Sequence, residues 1–424
     1  MTKYVIIGGS AGGIGAVEAI REVDSLGKLT VISEEPVPQY SRPMISEYVS
    51  KEATLDTMKY RGDQFWKNNN VQTLTGRTAT KIDFNKKQVM LDGGDIIDYE
   101  KLLIATGGKP FVPRMDGGEK SGVFTFTDLS NAENIEANLE QSKSAVVIGG
   151  GLIGVSASEA LVKRGIKVTL VELKDNILNL ILDKTASEIA QKVLTEAGVT
   201  VITGQTVQRI LGKKDNTDSV GAVVMTDGTE IPCDLVVVAI GVIPRTELVK
   251  ETPVKVNRGI LVDRFMRTSI PDVYACGDVA EAHDFLINAN RLLPLWPLAH
   301  MGGRVAGYNM AGKKAEYTGG TVMSSLKYFD LPVIAVGDVN PEDSSDYELL
   351  LELKPEKTVY KKILLKNNVI VGFIFLGEIE NSGIFFRLLK NHVDVAEIKD
   401  KLLSEDFGIV TLPDQLRQEM FVVN

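Results

Sequence analysis

Cysteine is scarce in this sequence. Only two of its 424 residues are cysteine, Cys233 and Cys276, far apart and with no Cys-x-x-Cys pair. That spacing argues against a redox dithiol or a cysteine-rich metal site within the chain, and two small buried residues are the plainer reading. Histidine is equally sparse, at His283, His300 and His392, so no metal site is predicted. A basic surplus is also missing. The 47 Lys and Arg stand against 56 Asp and Glu, a net charge of −9, which is the wrong sign for a general nucleic-acid binder. No apolar run has the length to span a bilayer, and the longest, around Leu235–Val242, suits a buried strand. The start does not read as a signal peptide. After Met1-Thr2-Lys3 the chain enters Tyr4-Val5-Ile6-Ile7 and then glycines, a strand running into a tight turn. These absences predict a cytoplasmic protein with neither membrane nor nucleic acid among its partners.

What is present is a repeated half. The length exceeds one ordinary core, so two or three domains are expected. Strand Tyr4–Ile7 runs into Gly8-Gly9-Ser10-Ala11-Gly12-Gly13, a helix to about Glu22, then strand Leu29–Ser33 and Glu34. The unit recurs as Ala145–Ile148, then Gly149-Gly150-Gly151-Leu152-Ile153-Gly154, a helix to about Arg164, strand Lys167–Val171 and Glu172. Each half also ends on an apolar strand stopped by glycine: Leu102–Ala105 with Thr106-Gly107, and Val236–Ile240 with Gly241. Strand, glycine turn, helix, strand and terminal acid is the dinucleotide-binding pattern, and two complete copies at nearly equal spacing make the reading specific. Gly8 and Gly149 permit the turn, Gly151 lets the backbone approach a pyrophosphate, and Gly13 and Gly154 let helix sit close to strand. The pyrophosphate sits on the helix N-terminus, reached in the second half through Gly149, Gly151, Leu152, Ile153 and Gly154. Glu34 and Glu172 accept from ribose hydroxyls. No arginine adjoins Glu172, where Leu173-Lys174-Asp175 follow, so NADH is expected over NADPH, whose 2′-phosphate a carboxylate repels. Ser10 replaces the second glycine of the first copy and is small enough to keep that site open.

Segment Asp272-Val273-Tyr274-Ala275-Cys276-Gly277-Asp278-Val279-Ala280, with Ala105-Thr106-Gly107 and the doubled glycine motif, resembles the pyridine nucleotide–disulfide oxidoreductase superfamily over about residues 1–320. The resemblance implies an α/β fold of two Rossmann-like domains, the NAD domain inserted in the FAD domain, plus a C-terminal α+β domain. It places the FAD domain at 1–109 and 242–318, the NAD domain at 110–241 and the third domain at 319–424. It implies FAD held by Gly8, Ser10, Ala11, Gly13 and Glu34, by Arg42, Pro43 and Ala79, by Thr106 and Gly107, and by Gly277 and Asp278, the last on the ribityl chain. Leu298 and Ala299, at the start of the helix opened by Leu295-Trp296-Pro297, would lie at the flavin, where the helix N-terminus stabilises negative charge. NADH would lay its nicotinamide against the flavin, with Gly241 beside the NAD site. Candidates near the ring are Glu47, Ser156 and His300. His300 reads more simply as a helix-start residue. Ser156 stands where members often carry glutamate, with Glu159 one turn on.

Subfamily follows from Tyr40-Ser41-Arg42-Pro43-Met44-Ile45-Ser46-Glu47-Tyr48. Disulfide reductases carry redox cysteine near this point, and none stands here. The Arg-Pro pattern with Glu47 is similar to rubredoxin reductases and to the flavin part of assimilatory nitrite reductases. Strands Glu348–Leu353, Val359–Leu365 and Val369–Leu376, then helices Asn381–Lys390 and Val395–Leu403, are similar to the C-terminal domain of NADH:rubredoxin reductases. The expected activity is electron transfer from NADH through flavin to a one-electron acceptor, a small acidic carrier such as rubredoxin or an iron–sulfur protein. Two alternatives stay open: a flavin subunit of a larger metalloenzyme, and a nucleotide-regulated flavoprotein binding module. Lys354, Lys357, Lys361, Lys362, Lys366 and Lys390 could guide an acidic carrier, although a solvated hairpin face is the simpler reading. The tail ends in Met420-Phe421-Val422-Val423, open to folding back on the core or to a subunit contact.

Overall fold

A computed structural model describes the chain apart from Pro38, Glu342, Ser344 and residues 422–424. The apolar end of the tail therefore lies partly outside the described residues. The chain forms two compact units, one of Met1–Phe111, Thr127–Leu129 and Val242–Thr321, the other of Val112–Phe126, Ser130–Gly241 and Val322–Asn424.

The first unit opens with β1 (Lys3–Ile7), α1 (Ala11–Val23), β2 (Lys28–Ser33), β3 (Val71–Thr75) and β4 (Lys101–Ile104). β1 lies parallel between β2 and β4, with Tyr4 opposite both Leu29 and Lys101. Its residues Tyr4 to Ile7 are buried without alternation, the pattern of a parallel strand covered on both faces. Each such Ile or Val contributes roughly 1.5–3 kcal/mol by leaving water, so this strand anchors the glycine turn that follows it. The second unit repeats the plan with β5 (Val123–Thr125), β6 (Ser144–Ile148), α2 (Leu152–Lys163), β7 (Lys167–Val171), β8 (Thr200–Ile202) and β9 (Leu235–Val238). Its parallel order is β8-β7-β6-β9-β5. The chain then returns to the first unit. There β10 (Val273–Ala275) extends the first sheet beside β4, and α3 (Trp296–Met310) lies on α1.

Small residues allow that helix crossing. A Cβ added to Gly303 would lie 2.0 Å from the Gly12 carbonyl oxygen, one on Gly307 2.5 Å from that of Ala16, and one on Gly15 2.4 Å from that of His300. The backbones touch, and both helix N-termini are held together at one end of the unit.

The C-terminal segment rejoins the second unit as β11 (Met323–Tyr328), β12 (Leu331–Gly337), β13 (Glu348–Lys354), β14 (Val359–Lys366), β15 (Val369–Leu376) and α4 (Ser382–Lys390). The five strands form an antiparallel sheet in the order β11-β12-β15-β14-β13. β13 to β15 and α4 fall where the sequence places them. The helix expected over Val395–Leu403 is instead a chain of tight turns. Asp394 accepts from the Ala396 N–H, and Ile398, Lys401 and Leu402 each donate to the carbonyl three residues back, so the wider α spacing never starts. β11 and β12 carry no strong alternation and were not expected.

Candidate functional site

In the first unit, Gly8 takes φ +117° and donates its N–H to the Ile32 carbonyl at 2.8 Å. A Cβ there would sit 2.1 Å from the Ala105 oxygen, and one on Gly13 2.0 Å from that of Gly8. Both positions thus need glycine for the reasons read from the motif. Ser10 precedes α1 but makes no side-chain cap, and the first turn carries no acid. The leading N–H groups of α1, from Ala11 onward, are therefore left for an anion to satisfy. Leu295 precedes α3 in the same way, uncapped, so the Leu298 N–H is also open to a ligand, whereas Pro297 has no N–H and that of Ala299 is taken by the Leu295 carbonyl at 2.9 Å. These two ends, built by the close α1–α3 crossing, fit the phosphates and the ring of a flavin dinucleotide.

Around them stand the charged candidates. Gly277 turns at φ +74° and is followed by Asp278, which is half-buried. Burial pushes the Asp278 carboxyl up, and the nearby Arg42 charge opposes that. Arg42 is paired with Glu35 and donates to the Thr127 carbonyl at 3.2 Å. Burial lowers its pKa, which the charge of Asp128 counters. Pro43 is exposed beside it, whereas Ala79 is buried in a small antiparallel sheet. Thr106 donates its hydroxyl to the Arg245 carbonyl at 2.9 Å, and Arg245 returns its N–H to Gly107 at 2.9 Å. The Arg245 guanidinium then pairs with Glu34, while its Nε is buried with no hydrogen-bond partner. Arg245 thus joins Glu34, Arg42 and Asp278 on one face of the first unit, and sequence reasoning missed it. Its place shortly after Gly241 was the available signal, since that glycine closes a sheet strand and points the chain to the ligand edge. An arginine with an unused buried donor beside two carboxylates suits a polar ribose or phosphate group.

His300 lies half-buried with Nε2 at 3.0 Å from the Glu18 carboxylate of α1. Arg61 and Arg304 share that carboxylate. The ring is a tie between α3 and α1. Glu47 sits on a one-turn helix, accepting from the Ser46 hydroxyl at 2.7 Å. Cys276 is 1% exposed and touches the α1 turn, a Cβ on Gly12 falling 2.8 Å from its sulfur. Burial pushes the thiols of Cys276 and Cys233 up to about 12, so neither ionises at neutral pH.

The second unit builds its own turn. Gly149 takes φ +107°, and a Cβ on Gly154 would sit 1.8 Å from its oxygen. Gly151 faces open space, and α2 beyond it, starting at Leu152 and Ile153, has neither side-chain cap nor acid in its first turn. That too fits a pyrophosphate. Glu172 is buried and accepts from the N–H groups of Gly150 at 2.6 Å and Lys174 at 2.8 Å. It therefore clamps the glycine turn, and its remaining lone pairs are available to ribose hydroxyls. Gly241 takes φ +119° with open space where a side chain would stand.

The Tyr328 hydroxyl donates to the Leu152 carbonyl of α2 at 3.3 Å, and its oxygen faces the Ser156 hydroxyl as an acceptor. Phe329 donates its N–H to Glu159 at 3.1 Å. The Phe329-Asp330 turn, both residues at positive φ, thus seats the C-terminal sheet on the helix of the second glycine motif. The basic cluster is largely neutralised: Lys354 and Lys361 meet Glu352, Lys362 meets Asp183 at 2.9 Å, and Lys366 meets Asp346. Among the described residues no His, Cys, Asp or Glu cluster is placed to hold a metal ion, and no helix is long and apolar enough to cross a membrane.

Comparison with known proteins agrees with this geometry. Residues 2–303 match the family model "Pyridine nucleotide-disulphide oxidoreductase", and residues 323–393 match "Rubredoxin NAD+ reductase C-terminal domain". The chain is 32% identical over 400 residues to nitrite reductase [NAD(P)H] of Bacillus subtilis, covering 93% of this chain and 48% of that protein. It therefore spans about half the length of that relative. It is 28% identical to the NADH-rubredoxin oxidoreductase of Clostridium acetobutylicum, covering 96% of this chain and 98% of the relative. Among solved structures, an NAD-dependent persulfide reductase from A. fulgidus superposes with a TM-score of 0.87 at 29% identity, over 94% of this chain and 78% of that one. With two glycine turns, two uncapped helix starts and a family model matched over most of its length, the chain belongs to the pyridine nucleotide-disulphide oxidoreductase family.

Proposed function

We propose that the protein is an FAD-dependent NADH oxidoreductase that passes electrons to a one-electron acceptor of the rubredoxin or iron–sulfur class, working in the cytoplasm. The observation that carries this reading is an uncapped helix N-terminus after a glycine turn in each unit, in a chain whose only two sulfhydryls are sealed from solvent. Bound FAD supplies hydride acceptance and the release of electrons one at a time. Residues 1–109 with 242–318 form its domain, 110–241 the NADH domain and 319–424 the third.

The chain's own residues bind and position. The α1 N–H groups and the Gly8–Gly13 turn hold the FAD pyrophosphate, and Asp278 accepts from the ribityl chain. Glu34 and Arg245 meet the adenosine end, and the start of α3 directs N–H groups at the ring. In the other unit the Gly149–Gly154 turn takes the NADH pyrophosphate and Glu172 the ribose. No thiol takes part, so electrons leave without a cysteine relay. The similarity to an NADH-rubredoxin oxidoreductase over nearly its full length supports the acceptor class. That the chain matches half of a nitrite reductase supports a second setting, in which the acceptor is a cluster in a larger assembly.

The test is anaerobic stopped-flow of the purified yellow protein with NADH and with NADPH, followed by rubredoxin reduction. Fast bleaching by NADH and onward reduction of rubredoxin are expected. A colourless protein, or bleaching that depends on Cys233 or Cys276, overturns the reading.

A further inference from the structure

β13 is an edge strand. Among the described strands it pairs only with β14, from Glu348 opposite Leu365 to Lys354 opposite Val359. Its outer row of backbone N–H and C=O groups is a template for another strand. Natural edges are commonly blunted by charge, proline or a bulge. β13 instead carries Leu349, Leu351 and Leu353 on one face, exposed to 48%, 53% and 51%. Their period of two lines them in a single row, with Glu348, Leu350, Glu352 and Lys354 on the opposite face. An exposed apolar row on an open edge marks an interaction surface.

We propose that the occupant of this edge is a second copy of the chain, with β13 pairing antiparallel to itself about a two-fold axis at Leu351. The strand's own sequence selects both the partner and the register. With Leu351 opposite its counterpart, Leu349 meets Leu353, Leu350 meets Glu352 and Glu348 meets Lys354, each twice by symmetry. Six leucines form one continuous strip, and two Glu–Lys pairs flank it on the other face. A two-residue slip in one direction puts Glu352 opposite Glu352, and in the other puts Glu348 opposite Glu352. Like charges directly opposed destabilise a strand pair. A one-residue slip sets the leucine row beside the charged face. Within its own chain Glu348 accepts from Lys399 at 2.9 Å, and Lys354 pairs with Glu352 at 3.0 Å and Glu405 at 3.2 Å. These side-chain contacts leave the backbone groups of the strand edge unused, and a carboxylate can accept from more than one ammonium. Pairing would join two five-stranded sheets into one.

The experiment is sedimentation of the full-length flavin-loaded protein across a concentration series, with four variants. The parent is expected to be a dimer. Leu351→Lys, which opposes two ammonium groups on the axis, is expected to be a monomer with NADH-dependent turnover unchanged. Lys354→Glu is expected to weaken the dimer at least tenfold, and adding Glu348→Lys to it is expected to restore the dimer. Strands paired at this register hold opposite Cα atoms about 4.5–5.5 Å apart, within disulfide reach. A Leu351→Cys variant should therefore form one interchain disulfide in air, without interference from the buried native cysteines. A parent that is monomeric at every concentration overturns the proposal, as does a dimer that survives Leu351→Lys. So does failure of the Leu351→Cys variant to cross-link, which would assign the edge to a different partner.

Discussion

At the scale of single residues, the two acids that end the second strands have different surroundings. Glu34 is exposed and paired with Arg245, whereas Glu172 is buried and clamps its own glycine turn through two N–H groups. Hydrogen bonds to a charged group contribute about 1.5–3 kcal/mol each. Glu172→Ala is therefore expected to raise the NADH dissociation constant roughly 10- to 100-fold while FAD remains bound, as measured by NADH titration and flavin content. The sealed thiols give a second prediction. Burial raises Cys233 and Cys276 from an ordinary 9.0 to about 12, and Tyr99 and Tyr317 from 10.0 to about 12. The folded chain then holds these protons where the unfolded chain releases them. That stability is complete below pH 9 and falls as pH rises from 9 towards 12. Urea midpoints taken on either side of pH 9 should drop on the alkaline side, and thiol reagents should label the native protein slowly and the unfolded protein at both cysteines.

At the scale of elements, the crossing of α1 and α3 is what aims two helix N-termini at one ligand. Gly303 sits at its tightest point, 2.0 Å from the Gly12 oxygen for any added Cβ. A valine there must push the helices apart, an overpacking cost of about 1–3 kcal/mol or more. Gly303→Val is expected to lower the melting temperature and release flavin in step, whereas Gly62→Ala, with nothing within 4 Å, should do neither. Absorbance at the flavin band across a thermal ramp checks both. This crossing was only half legible in the sequence. The glycines of the first motif announce the α1 turn by their spacing, but nothing local says that Gly303 and Gly307 press on Gly12 and Ala16, because that contact spans nearly 300 residues. The same limit explains Arg245 and Tyr328, whose partners Glu34 and Leu152 are remote in the chain. Conversely, the parallel strands β1, β2, β4, β6, β7 and β9, both glycine turns and β13 to β15 are readable, since each is declared by period, glycine position or β-branched content within a short window, whereas β3, β5 and β8 are not.

At the scale of the whole molecule, the repeated half is complete without the C-terminal sheet, yet within the second unit that sheet is fastened to the elements of the second glycine motif and the segment after it. Tyr328 and Phe329 bind α2, Asn340 donates to the Leu182 carbonyl at 2.8 Å, and Asp183 takes both the Tyr360 hydroxyl at 2.6 Å and the Lys362 ammonium at 2.9 Å. Asp183 also caps the following helix through the Ala186 N–H. Lys362 is only 11% exposed at its side chain, so removing the carboxylate strands a nearly buried ammonium whose other described bond is the Val339 carbonyl. Breaking a buried pair from one side costs about 3–5 kcal/mol. Replacing both partners by apolar groups costs far less, because no charge is then left without a counterpart. Asp183→Ala is accordingly expected to loosen the sheet from the rest of the second unit, seen as early proteolysis between Thr321 and Met323 and faster amide exchange in β14. In that background Lys362→Met should recover most of the loss. Loss without recovery would show that the helix cap, and not the buried pair, is what Asp183 contributes.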